Sequence, residues 1–229
     1  VPSKKFCNFY KSYFWNKKHS ASYVAAKIAI SSDYLTINKK NKWITNFSSR
    51  NLAHLLRNKY DCILSTSKSI NNDNSLLNCR INGLNNNKPD LFIVDMKLKL
   101  KKKLLLNSLL KKRKTYLITK KINVKKSLEY KKLGYKIILI DQLNDKNDFN
   151  LLSRRIYNMG YSRLLIESGL TFLNYLLKYK LINELYFFKS SYKLGKNGKN
   201  NDTLFHLKKI NPKLLTINLI NDKLLKKEF

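Results

Sequence analysis

The sequence predicts an α/β protein with a central, mostly parallel sheet that closes in an antiparallel hairpin. Three observations carry this. Short β-branched and apolar runs alternate with helical stretches, the mark of βαβ units rather than of a hairpin protein. Only the last two runs, Leu214 to Ile220 and Lys223 to Phe229, lie close enough to pair directly, through a turn at Asn221-Asp222. A length of 229 residues with 43% hydrophobic content suffices for one large domain with a sizeable core, so disorder is not the leading reading.

In chain order, strands are expected at Tyr23 to Ile30, Cys62 to Leu64, Leu91 to Val94, Tyr116 to Thr119, Lys136 to Ile140, Arg163 to Ile166 and Leu185 to Phe188. Between them, Ser48 is a suitable N-cap for a helix that puts Leu52, Leu55, Leu56 and Tyr60 on one face. A second helix, Ser127 to Leu133, stops at Gly134, and a third, Asp148 to Met159, stops at Gly160. A fourth covers Thr171 to Lys180. The alternating lysines and leucines of Lys97 to Lys114 have no clear period, and the Asn-rich segment from Ile81 to Pro89 reads as a surface loop.

Charge is the unusual quantity: 47 Lys and Arg against 14 Asp and Glu give +33. That raises a nucleic-acid hypothesis, a basic RNA-binding or ribosome-associated protein. Against it, lysines punctuate nearly every segment instead of gathering on one, and Asn, Ile, Leu, Tyr and Phe are abundant beside them while Gly and Pro are scarce. An A+T-rich coding bias produces that composition without selection for a polyanion. Non-specific polyanion binding is still expected from the charge alone. Cys7, Cys62 and Cys79 form no CxxC pair, which supports neither a disulfide framework nor a zinc site and fits a reducing compartment. No run of about 18 apolar residues exists, so no membrane span is expected. A cytoplasmic location is expected.

Three segments carry chemistry. In the first, the strand Tyr23 to Ile30 bears one cation, Lys27, and runs into Ser31 and Asp33; Trp43-Ile44-Thr45 follows just before the first long helix. A lone strand lysine is as readily an edge residue, and an aromatic at a sheet rim is more often core than a cofactor platform. In the second, a strand ends in a Ser/Thr-rich turn that delivers Asp73, Leu77 and Arg80 beyond its carboxyl end, where open α/β sheets place ligands. Arg57 and Arg80 stand out in a chain that otherwise uses lysine, because a guanidinium fork suits phosphate; surface salt bridges account for them equally well. In the third, a buried strand ends at Glu167, turns at Gly169 and enters a helix, whose free N–H groups suit a dinucleotide pyrophosphate. Alone that turn is weak, and Glu167 could serve as an N-cap carboxylate.

Taken together, these segments resemble the reductase domain of the bifunctional riboflavin-biosynthesis deaminase–reductase, a family with a dihydrofolate-reductase-like, three-layer fold. The family's K-x-A-x-S-x-D appears as Lys27-Ile28-Ala29-Ile30-Ser31-Ser32-Asp33, its W-I-T as Trp43-Ile44-Thr45, and its L-R as Leu56-Arg57. Its following loop appears as Cys62-Ile63-Leu64 with Ser69, Asp73, Asn74, Ser75, Leu77 and Arg80. Its E-x-G turn is Glu167-Ser168-Gly169-Leu170-Thr171-Phe172, its D-E-L is Asn183-Glu184-Leu185, and its L-G is Leu194-Gly195.

The resemblance implies that NADPH meets Ala29, Trp43, Ser69, Asp73 and the turn from Gly169 through Leu170, Thr171 and Phe172 to Tyr175. It implies that Asn41, Arg57, Leu77, Arg80 and Glu167 meet a phosphorylated pyrimidine, with Lys27 beside its sugar, and that Lys27 and Glu167 serve catalysis. It implies hydride transfer without a metal, a homodimer, residues 1–20 as a junction after a zinc deaminase domain, and residues 21–229 as the reductase domain. The deaminase constellations H-x-E and P-C-x-x-C do not occur here, so deamination is not expected of this chain. A same-fold reductase acting on another pyrimidine or pterin is the nearer alternative. Departures from the family are Tyr34 for a glycine, Asn74 and Ser75 for the second Asp and the Pro of D-D-P, Asn41 for a serine, and Phe172 where a smaller residue is common.

Overall fold

In a computed structural model, residues 10–84 and 89–229 are described. Along the chain run α1 (Lys11–His19), β1 (Tyr23–Ile30), β2 (Ile37–Asn38), α2 (Phe47–Asn58), β3 (Cys62–Thr66), α3 (Ser67–Asp73) and β4 (Asp90–Val94). They are followed by β5 (Thr115–Lys120), α4 (Val124–Leu133), β6 (Lys136–Ile140), α5 (Lys146–Asn158), β7 (Arg163–Glu167) and α6 (Leu170–Lys178). The chain continues through β8 (Glu184–Lys189), β9 (Gly198–Lys199), α7 (Phe205–Lys208), β10 (Lys213–Leu219) and β11 (Asp222–Glu228).

Nine strands form one sheet in the order β10-β11-β8-β1-β7-β3-β4-β5-β6, with β2 and β9 pairing separately. From β8 to β6 every pairing is parallel, and β11 runs antiparallel to both β8 and β10. The parallel strands read as continuous apolar runs because helices cover both faces. Alternate residues sort into two cores. Val24, Ala26, Ile28 and Ile30 of β1 pack with Phe149, Leu152 and Ile156 of α5 and Leu170, Leu173 and Leu176 of α6. Ala25 of β1, Ile63 and Leu165 pack on the other face with Ala53 and Leu56 of α2 and Tyr130 of α4. The three layers and the C-terminal hairpin are those expected. Among the described residues, no helix is long and apolar enough to cross a membrane.

Helix boundaries follow local chemistry. Asp145 caps α5 with a complete capping box to Asp148, and Gly134 ends α4 in the left-handed region at φ +105°, where a Cβ would be strained. Two expectations are corrected. The N-cap of α2 is Asn46, not Ser48: the Asn46 side chain accepts from Ser49 N at 2.9 Å, while Asp222 accepts from Asn46 N at 2.8 Å and Ser49 Oγ at 2.7 Å. That engagement also moves the final turn. Asp222 pairs with Leu219 inside the ladder, so the turn falls on Ile220 and Asn221, one residue earlier than the sequence suggested.

Lys97 to Lys114 remains largely irregular, with a 3-10 turn at Leu105–Leu109, although Leu98, Leu100, Leu104 and Leu106 are buried. The Asn-rich loop turns at Gly83, and its residues 85–88 lie outside the described residues. So do residues 1–9 of the junction segment. Its remainder includes α1, which is tied down by Asn16 Nδ2 donating to Ala21 O and Ser162 O.

Candidate functional site

The site begins with strand register. Lys27 of β1 stands directly beside Glu167, the last residue of parallel β7. Both project to the face covered by α2, which brings Arg57 down from its last turn. Arg57 Nε donates to Glu167 Oε1 at 2.5 Å and Nη2 to Oε2 at 2.9 Å, a two-pronged bond between side chains only 12% and 9% exposed. Lys27 Nζ lies 4.0 Å from Glu167 Oε2 and 5.5 Å from the centre of the Phe188 ring. Burial alone would raise the Glu167 carboxyl, but the Arg57 guanidinium, with Lys27 beyond it, holds it down at about 2. Burial lowers the Lys27 ammonium below the usual lysine range against the pull of Glu167. The cluster therefore holds a permanently ionised carboxylate next to a lysine made easier to deprotonate.

Arg80 is arranged differently. Arg57 Nη1 also donates to Asn78 O at 3.0 Å, and His54 Nδ1 approaches the same carbonyl at 3.0 Å. Beyond them Arg80 Nη1 donates to Asn78 Oδ1 at 3.1 Å, and Nη2 lies 3.2 Å from His54 Nε2. Arg80 is exposed and its side-chain partners are neutral, so its charge is not cancelled. Burial, then the charges of Arg57 and Arg80, push the His54 imidazole down to about 4.

A cleft of about 330 Å³ opens where β7 turns into α6, lined by Thr66, Lys68, Ser69, Asn72, Leu143, Gly169, Leu170, Thr171, Phe172, Tyr175 and Asn201. Gly169 is the N-cap of α6 and makes no side-chain cap, so the first-turn N–H groups are left for another partner. Ser69 Oγ accepts from Gly169 N at 3.0 Å and from Thr66 Oγ1 at 3.1 Å, which locks the start of α3 against this turn. Open helix N–H groups, the hydroxyls of Thr66, Ser69 and Thr171, one lysine and stacked Phe172 and Tyr175 rings make a donor set that fits a phosphorylated dinucleotide.

The profile of the RibD C-terminal domain matches residues 22–222. The chain belongs to that family. Among solved structures, RibD of Acinetobacter baumannii superposes with a TM-score of 0.78 at 20% identity over 96% of this chain and 61% of that one. The Thermotoga maritima diaminohydroxyphosphoribosylaminopyrimidine deaminase/5-amino-6-(5-phosphoribosylamino)uracil reductase gives 0.71 at 22% identity over 98% and 60%. The riboflavin biosynthesis reductase of Saccharomyces cerevisiae gives 0.70 at 18% identity over 98% and 99%. At these identities the likeness establishes the fold. The chain spans about three fifths of the length of the first two. No curated protein matches the sequence.

Among the residues singled out in the sequence, the structure brings Lys27, Arg57 and Glu167 into one cluster and Ser69, Gly169, Leu170, Thr171, Phe172 and Tyr175 around one cleft. Others stand outside both. Ala29 lies half-buried farther along β1, and Leu77 is buried at φ +47°. Asn41, Trp43 and Asp73 are exposed, and the loop carrying the first two is held near Asp73 because Lys42 Nζ donates to Asp73 O at 2.9 Å. Trp43 is half exposed, with Arg50 at 4.9 Å and Lys42 at 5.3 Å over its ring. It is therefore not core.

The family motifs acquire physical reasons. Asp33 accepts from Ser31 Oγ and from the N–H groups of Leu194 and Gly195, so K-x-A-x-S-x-D and L-G form one contact. Partial burial opposes that charge, yet these bonds hold the Asp33 carboxyl at about 2. Tyr34, which departs from the family's glycine, has left-handed backbone at φ +63°, a conformation that suits glycine, and lies under the Lys189 ammonium. Asn74 ends α3 in the left-handed region at φ +44°, and its Oδ1 accepts from Leu105 N. Sequence reasoning missed His54 and Asn78, although His54 stands one turn before Arg57 on the same helix and is one of three histidines in the chain. It also missed Thr66, Lys68, Asn72, Leu143 and Asn201, which no local pattern distinguishes.

Proposed function

We propose that this chain is the NADPH-dependent reductase of riboflavin biosynthesis, converting 5-amino-6-(5-phosphoribosylamino)uracil to the 5-phosphoribitylamino product. The observation that carries the reading is the juxtaposition at the end of β7: a buried Lys27–Glu167–Arg57 cluster and, two residues on, the open cleft at Gly169. Family membership and shared fold support the same activity. When bound, NADPH supplies a hydride for C1′ of the ribosylamino group.

The cleft residues Ser69, Gly169, Leu170, Thr171 and Phe172 hold the cofactor, with Ala29, Trp43 and Asp73 at its margin. Glu167 stays ionised throughout and accepts a hydrogen bond from a sugar hydroxyl; it is no acid at neutral pH. Lys27 is the proton donor, delivering its proton to the ring oxygen as the C1′–O bond opens. Arg57 spends its fork on Glu167, which leaves Arg80 to grip the substrate phosphate, with Asn41 and Leu77 beside the substrate.

A cytoplasmic homodimer completes the reading. The test is loss of reduced-nicotinamide absorbance on adding the aminopyrimidine substrate. Turnover with NADPH is the expected result. No turnover with either nicotinamide, alongside salt-sensitive RNA binding, sinks the proposal in favour of a basic RNA-binding protein.

A further inference from the structure

His54 has no part in the chemistry above, yet it touches the backbone that carries Arg80 and the guanidinium itself. Its ring has three polar neighbours: Asn78 O at 3.0 Å and Arg80 N at 3.1 Å from Nδ1, and Arg80 Nη2 at 3.2 Å from Nε2. The tautomer protonated on Nδ1 satisfies two of these contacts, donating to Asn78 O and accepting from Arg80 Nη2, and leaves the Arg80 N–H facing a donor at 3.1 Å. The tautomer protonated on Nε2 satisfies only the contact with Arg80 N and faces a donor with a donor at Nη2. A doubly protonated ring would do the same beside two guanidinium groups.

We propose that His54 is a positioning residue that fixes the Arg80 guanidinium in the pose that grips the substrate phosphate. The inference rests on the function proposed above for Arg80. An exposed arginine otherwise samples many rotamers, and ordering it on binding costs affinity. Here Nη1 is held by Asn78 Oδ1 and Nη2 by His54 Nε2, both uncharged acceptors, so the side chain is ordered while its full charge is kept. Three of the five guanidinium N–H donors remain uncommitted among the described residues. His54 is itself rigid, 8% exposed on α2 one turn from Arg57.

Two substitutions separate the halves of the ring. His54→Asn places an amide N–H where Nδ1 stood and keeps the bond to Asn78 O, but has nothing at the Nε2 position. His54→Gln can reach that position with its amide oxygen. With the phosphoribosylamino substrate and NADPH, H54N is expected to raise KM about 10-fold with kcat within about 2-fold, the loss of one bond to a charged group. H54Q is expected to keep KM near wild type, and H54N to add nothing in an Arg80→Ala background.

An unchanged KM in H54N, an equal rise with and without Arg80, or an H54Q as weak as R80A overturns the proposal. If H54N does not fold, His54→Ser, which also has nothing at the Nε2 position, takes its place on the same criterion. Calorimetric titration of ribose 5-phosphate separates this inference from the proposed function, because it needs no turnover. Wild-type binding weakened in both R80A and H54N upholds the His54 role even if no NADPH is oxidised. Absence of wild-type binding, or binding unaffected by H54N, overturns it.

Discussion

Glu167 and Gly169 stand two residues apart, and the chain surrounds them in opposite ways. Around Glu167 every charge has a partner: Arg57 grips both carboxylate oxygens, and Lys27 stands by. Around Gly169 two hydroxyls touch the turn's backbone, Ser69 Oγ accepting from Gly169 N and Ser168 Oγ donating to Gly169 O at 3.5 Å, no charge is engaged among the described residues, and the α6 cap is empty. The first arrangement fixes protonation states; the second leaves donors free for a visitor. Substitutions should therefore strike stability in the cluster and affinity in the cleft, and that contrast can be broken by measurement.

The largest effect should follow Glu167→Ala, which leaves Arg57 buried without its counter-charge and should cost about 3–5 kcal/mol in urea unfolding. A loss below about 1 kcal/mol would show that the cluster is not structural. Next comes acid. Glu167 has its folded value depressed from 4.5 to about 2, so its contribution is complete above about 4.5 and disappears as pH falls through about 2. His54 acts at milder pH. With its folded value lowered from 6.5 to about 4, the unfolded chain takes up the proton first, and stability declines as pH drops from 6.5 towards 4. Midpoint denaturant concentrations that stay flat from pH 7 to 4 would contradict the neutral, buried His54.

Arg80→Ala is expected to raise KM for the phosphorylated substrate about 10- to 100-fold, the worth of a charge-assisted bond, with little change in Tm. If Tm falls as far as in the Glu167 variant, the contrast between the two arginines is wrong. The smallest effect belongs to Ser69→Ala, which frees Gly169 N and should cost about 1 kcal/mol of stability while weakening NADPH affinity a few-fold. Fluorescence titration of NADPH checks the second half.

Much of this was legible in the chain. The bounds of β1 and β6 follow from their apolar runs, and Gly134 and Gly160 stop helices as expected. What was illegible depends on partners distant in sequence. The Lys97–Lys114 segment has buried Leu98 and Leu100, but its backbone is held by Asp95 and Asn71, not by a strand, so neither period could show. In the site, residue types and order marked Lys27, Arg57, Arg80 and Glu167, but not the division of labour between the arginines. Only the carboxylate between Arg57 and Lys27 reveals it.

The Asp222 carboxylate, which holds the start of α2, has a consequence in time. Asn46 and its clasp are separated by 176 residues of chain. The helix carrying His54 and Arg57 emerges early during synthesis but lacks this contact until β11 has been made, and such non-local closure is slow. A nascent chain arrested before Asp222 should thus have both arginine-bearing segments translated and the phosphate grip still unassembled.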